Sequence, residues 1–113
     1  MKTPHKIYYL TDCGADATAH EEEDCFIVHA GSKLGPIKTQ KCGVMLGLRE
    51  LFERLKLLEE DGTTLRNDFP FSYADDAARV ISGSIIDELW WTAIDGSHPT
   101  LVSPLEDRQT QNL

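Results

Sequence analysis

Two stretches of this chain, CFIVHAGSKL at residues 25–34 and DFPFSYADDAARVISGSIIDELWW at residues 68–91, constrain the fold more than the rest of it. The first reads as a buried strand over residues 25–30. It must change direction at Gly31 and Ser32, where a residue free to take positive φ meets a hydroxyl that can bond nearby backbone. In the second, Ser72 precedes Asp75 by three, an approximate capping box, and Asp75 and Asp76 fall where a helix dipole favours negative charge. This predicts a helix over residues 73–81 with a narrow face of Ala74, Ala77, Ala78 and Ile81, stopped by Gly83 and followed by a strand over 89–94.

Between the two stretches Val44, Leu48, Leu51, Phe52, Leu55 and Leu58 recur at spacings of three and four, with charged residues filling most of the remaining positions. That pattern predicts an amphipathic helix over 44–60, capped at its C-terminus by Gly62. Residues 6–12, rich in Ile and Tyr, read as a first strand, residues 13–24 as a loop ending in an acidic run, and 64–71 as a short extended segment. The expected fold class is α+β, a small antiparallel sheet with two helices packed on one face. Residues 1–96 form a single domain in this reading, and 97–113, with Pro99 and Pro104, a loosely attached C-terminal tail.

At 113 residues the chain is long enough for one self-sufficient core, and no apolar run approaches a membrane span of roughly 20 residues. The N-terminus lacks the apolar core and small-residue cleavage site of a secretory signal. Three cysteines with no CxxC pair fit a reducing compartment, so the expected location is cytoplasmic. Net charge is −8, and residues 44–113 carry six Lys or Arg against thirteen Asp or Glu. Phosphate neutralisation supplies most of the affinity of a duplex-binding domain, so this balance argues against autonomous DNA binding. Lys33, Lys38 and Lys41, in a glycine-rich segment without acids, are the one local exception.

Four motif elements occur in a recognisable order. Cys13-Gly14-Ala15-Asp16-Ala17 follows the first strand, and Phe26-Ile27-Val28-His29-Ala30-Gly31-Ser32-Lys33 forms the second. Leu48-Arg49-Glu50-Leu51 lies in the long helix ahead of Glu59-Glu60-Asp61-Gly62. Phe69, Phe71, Ser72, Ala77, Ala78, Val80, Ile81, Gly83, Ser84 and the Trp90-Trp91 pair make the last element. Over residues 6–96 this order resembles the domain of unknown function 4357, an accessory domain found with GIY-YIG nucleases and DNA methyltransferases of restriction-type systems. The resemblance implies a non-catalytic accessory module of DNA-processing or defence systems. The chain departs from that family where Asp87, Glu88 and Leu89 replace an Asn-Gly turn, and where Asp75 and Asp76 enter the helix start.

No nucleotide-binding, metalloprotease, hydrolase or GIY-YIG signature is present, and the chain is expected to be a non-enzyme with no catalytic residues, no cofactor and no metal. Cys13, His20, Cys25 and His29 spell C-x6-H-x4-C-x3-H, types that zinc accepts at spacings unlike a zinc knuckle. They read instead as small buried thiols and surface histidines, although Cys25 and His29 share a strand face. Two surfaces are candidates for function. Asp75, Asp76, Asp87 and Glu88, all expected exposed, together with Trp91 as an outward anchor, form an acidic surface for a protein partner such as a nuclease, a methyltransferase or a defence complex, where this chain acts as inhibitor or subunit. The alternative is a nucleic-acid contact through Gly31, Ser32, Lys33, Lys38 and Lys41.

Overall fold

Alternation along the strands decides the architecture. Tyr8 and Leu10, Ala17 and Ala19, Phe26 and Val28, Phe71 and Ala93 are buried, while the residues between them are partly or fully exposed. In the computed structural model, which describes residues 5–104, these positions form one face of a five-stranded antiparallel sheet. The strands are β1 Ile7–Leu10, β2 Ala17–Glu21, β3 Phe26–Val28, β4 Phe69–Phe71 and β5 Thr92–Ala93, in the order β4-β3-β2-β1-β5. Helices α1 Gly43–Arg54 and α2 Ala74–Ser82 cover that face, α2 against β3 and β4, and α1 against α2. Phe52 of α1 reaches the sheet by an edge contact with Phe69, their centroids 4.9 Å apart. The α+β class with both helices on one face is therefore as expected.

Register shows why a strand is missed at residues 13–24. Tyr8 faces Ala19, which faces Val28, and Val28 faces Phe69. The central strand carries Ala17-Thr18-Ala19-His20-Glu21, with small residues inward beside bulky neighbours and no aromatic or branched aliphatic residue to announce it. The acidic run is partly strand end: Glu21 closes β2, and Glu22 to Cys25 make the turn into β3 through a Glu22 N–H bond to the Cys25 carbonyl of 2.8 Å.

Helix α1 stops at Arg54 rather than running to 60. Lys56 takes φ 56°, its N–H bonds to the Glu53 carbonyl, and the Leu57 N–H bonds back to the Phe52 carbonyl, a Schellman closure with lysine in the left-handed position. The chain then continues extended, and Leu58 enters the core opposite Leu65. Gly62 turns this small hairpin and caps no helix. Asp61 braces the turn, its carboxylate accepting from the Thr63 and Thr64 amides and the Thr64 hydroxyl, which hold it far below the usual carboxylate range.

Helix α2 ends at Gly83, φ 74°, as expected, but it starts after Tyr73, and Ser72 makes no side-chain cap. The cap comes from the C-terminal segment. The Ala74 N–H donates to the Leu101 carbonyl, and the Asp75 carboxylate accepts from the Ser103 amide at 3.0 Å and from the Ser103 hydroxyl. Glu21 holds the same segment, accepting from the Thr100 and Leu101 amides at 2.7 and 2.6 Å and from the Thr100 hydroxyl at 2.9 Å. Residues 97–104 are thus strapped to the domain rather than loosely attached, because two carboxylates take up their donors. The rest of the expected tail, 105–113, lies outside the described residues, as do residues 1–4.

Two glycines allow loop 35–38 to cross the end of α2. A Cβ on Gly35 would meet the Cys13 carbonyl oxygen at 2.4 Å, and one on Gly83 would meet the Pro36 carbonyl oxygen at 2.3 Å. Arg49 locks the crossing. Its guanidinium donates to the Val80 and Ile81 carbonyls at the end of α2, at 2.6 and 3.2 Å, and to the Gly35 carbonyl. Burial brings its pKa down to about 10, with Glu53 opposing.

Candidate functional site

The tryptophan pair separates as a core residue and a surface residue, with the assignment reversed from expectation. Trp91 is fully buried, its indole N–H donating to the Ala74 carbonyl at 3.2 Å and its ring packed edge-on against Phe26. Trp90 is the outward one, 41% exposed. The reason is local. Instead of a strand over 89–94, Glu88–Trp90 forms a one-turn 3-10 helix, capped by the Asp87 carboxylate on the Leu89 amide at 2.9 Å, and only Thr92–Ala93 pairs with β1.

The acidic surface is also rearranged. Asp75 is fully buried, taken up by Ser103 and lying 3.6 Å from the Arg79 guanidinium, so its expected exposure is corrected. Asp76 is partly exposed and lies 3.4 Å from the same guanidinium. Asp87 and Glu88 are partly exposed at the 3-10 turn, which packs on α2. Beside them a groove of about 430 Å³ runs between the start of α1 and α2, lined by Lys41, Cys42, Gly43, Val44, Asp76, Arg79 and Ile85. Val44 and Ile85 are 57% and 59% exposed, and Leu89 is 55% exposed. Val44 belongs to the apolar period that predicts α1, yet it faces outward here, and Ile85 carries no periodic signal.

The residues proposed for nucleic acid have structural employment. Gly31, at φ 87°, makes the turn. Ser32 is buried, its hydroxyl accepting from the Thr18 amide and donating to the Thr18 carbonyl. Lys33 exchanges two backbone hydrogen bonds with Asp16, and its side chain is exposed. The Lys38 amine donates to the Cys13 carbonyl, and Lys41 lies in the α1–α2 groove beside Asp76. Lys38 thus braces the turn at Cys13, and Lys41 borders the α1–α2 groove.

A second polar arrangement lies on the opposite, open face of the sheet, and the sequence pattern shows only part of it. His20 and His29, weighed above beside Cys13 and Cys25, meet across β2 and β3 with His20 Nδ1 2.7 Å from His29 Nε2. Thr18 Oγ1 stands 2.8 Å from His29 Nδ1, and His20 Nε2 lies 2.9 Å from Glu22 Oε2. His5 stacks on His20, the centroids 4.6 Å apart. Burial lowers the His29 pKa, the neighbouring His20 adds to this, and Asp68 opposes it. Cys25, raised by burial and by the Asp24 and Glu22 carboxylates, is no part of the cluster. All three cysteines are free thiols.

No family model, curated protein or solved structure matches this chain. Among the described residues no helix is long and apolar enough to cross a membrane.

Proposed function

We propose that this chain is a non-enzymatic accessory module that docks on a protein partner, in the cytoplasmic DNA-processing or defence setting that the resemblance implies. The observation that carries this reading is the outward Trp90 on an Asp87-capped turn, with Ile85, five residues earlier, exposed in the wall of the groove between α1 and α2. Exposed aromatics on fixed backbone make efficient interface anchors, because they bury much area for little lost side-chain entropy. The chain's charge of −8, with Asp87 and Glu88 in the turn that carries Trp90, selects the occupant: a basic protein segment with an apolar anchor, as lines a nucleic-acid channel. In this reading the module competes for, or covers, such a channel.

The test uses the full chain as bait in native lysate, with Trp90→Ala and a double Asp87→Asn, Glu88→Gln variant run alongside. The expected partner is basic, is retained by the wild type, is lost by Trp90→Ala and loses its salt dependence with the double variant. A partner retained equally by all three overturns the assignment of this corner. Fluorescence anisotropy with single- and double-stranded DNA and RNA at low salt is expected to show no saturable binding. Binding that falls on changing Lys33 and Lys41 to Ala would replace this reading with the nucleic-acid one.

A further inference from the structure

The open face of the sheet holds His5, His20 and Glu22 with a ligand atom of each within 4.8 Å of the others. We propose that these three side chains bind a single transition-metal ion, with Zn2+ the best chemical match, and that His29 and Thr18 are positioning residues that orient His20 towards it.

The strand register brings the ligands together. Ile7 pairs with His20, and continuing that antiparallel register sets His5 opposite Glu22 with His20 diagonal to His5, all on the face away from the helices. His20 is the half-buried anchor, and His5 and Glu22 are exposed. The hydrogen bonds then constrain the chemistry. A neutral imidazole has one donor and one acceptor nitrogen. The contacts close in one direction with His20 Nε2–H donating to Glu22 at 2.9 Å, and run in the other with His29 Nδ1–H donating to Thr18 Oγ1 and His20 Nδ1–H donating to His29 Nε2. The second direction frees the His20 Nε2 lone pair, and it is the one that a metal ion on Nε2 selects, with His29 Nε2 accepting behind it.

Such a chain, from imidazole to a second hydrogen-bonding group behind it, is how metal-bound histidines are oriented. The donor set of two imidazoles and one carboxylate suits zinc and its neighbours better than calcium or magnesium, and three protein ligands leave a fourth position for water. Tetrahedral coordination with bonds of about 2.0–2.2 Å places ligand atoms about 3.4 Å apart. His20 and Glu22 must open by about half an ångström, and His5 must close by up to about 1.4 Å, which exposed side chains can do. Glu23 and Asp24 in the adjoining turn add favourable negative charge for a cation.

The experiment titrates ZnCl2 into chelator-treated, tag-free chain by calorimetry and records the visible spectrum of the Co2+ form. One ion per chain is expected, in the micromolar range or tighter, with a tetrahedral Co2+ spectrum free of a thiolate charge-transfer band. His20→Ala, His5→Ala and Glu22→Gln should each weaken binding tenfold or more with unchanged circular dichroism, while Cys25→Ser leaves it intact. His29→Ala should weaken it about 10–100-fold, and His29→Gln, which restores an acceptor near the Nε2 position, should recover most of the loss. Absence of saturable binding, undiminished affinity in His20→Ala, or loss in Cys25→Ser would overturn the proposal. None of these results bears on the Trp90 corner, so the two readings fail separately.

Discussion

The two faces of the same sheet use alternate residues of the same strands for opposite ends. On the covered face Tyr8, Leu10, Ala19, Phe26, Val28 and Phe71 exclude water, and the polar groups that enter that side have protein partners: the Trp91 indole, the Asp75 carboxylate and the Arg49 guanidinium. On the open face Thr18, His20, His29 and Glu22 bond mainly to one another, with His5 stacked above. The difference teaches where substitution is felt. Inside, an atom removed leaves a void or an unsatisfied group and lowers stability; outside, solvent replaces it and only binding changes.

The sharpest break of that comparison is the tryptophan pair. Trp91→Ala should destabilise the domain by about 3–5 kcal/mol, and Trp90→Ala by no more than about 0.5 kcal/mol, read from urea unfolding monitored by circular dichroism. Equal effects would show that the neighbours are not divided between core and surface. Next in size, Arg49→Ala should cost about 2–3 kcal/mol, because it takes the guanidinium donor from the Val80 and Gly35 carbonyls and leaves Ile81 only the Gly35 amide, whereas His20→Ala on the open face should cost less than about 1 kcal/mol. Thermal melts of the two variants side by side test this.

A smaller effect distinguishes strap from core. Asp75→Asn keeps an acceptor for Ser103 but loses the charge facing Arg79, and should cost about 1–2 kcal/mol while speeding hydrogen exchange at the Leu101 and Ser103 amides. Exchange unchanged there would mean that Asp75 does not hold the strap. Smallest is an acid-range effect at the sheet edge. The Ser97 hydroxyl and amide, with Lys6, lower the Asp95 pKa from 3.8 to about 2. Its contribution is present above the unfolded value and lost as pH falls through about 2. Wild-type melting temperature should therefore decline more steeply between pH 4 and 2 than that of Asp95→Asn.

Much of the covered face was legible. Phe26 and Val28 announce a strand by type and spacing, Gly83 ends α2 where a left-handed residue is needed, and the Ala74-Ala77-Ala78 face gives α2 its close approach. Several of the motif residues do structural work: Gly31 and Ser32 in the turn after β3, Arg49 across the end of α2, Trp91 in the core. The open face was hardly legible. His5, His20, Glu22 and His29 span 25 positions without a motif, and only the pairing of β1, β2 and β3 brings them together.

What the amino-acid sequence determined by itself is what short-range physics governs: the strand at Phe26–Val28, the glycine turns at Gly31 and Gly83, the apolar period of α1 and the overall acidic charge. Tertiary structure alone decided whatever depended on a distant partner. Leu55 and Leu58 continue a helical period, yet a Schellman turn at Lys56 sends Leu58 into the core by an extended route. Asp75 reads as a surface cap residue and is buried because Ser103, 28 positions away, donates to it. Which tryptophan turns inward was settled by the 3-10 turn that Asp87 caps and by the Ala74 carbonyl waiting for an indole N–H. In each case a local preference worth about 1 kcal/mol or less yielded to burial and hydrogen bonding worth several.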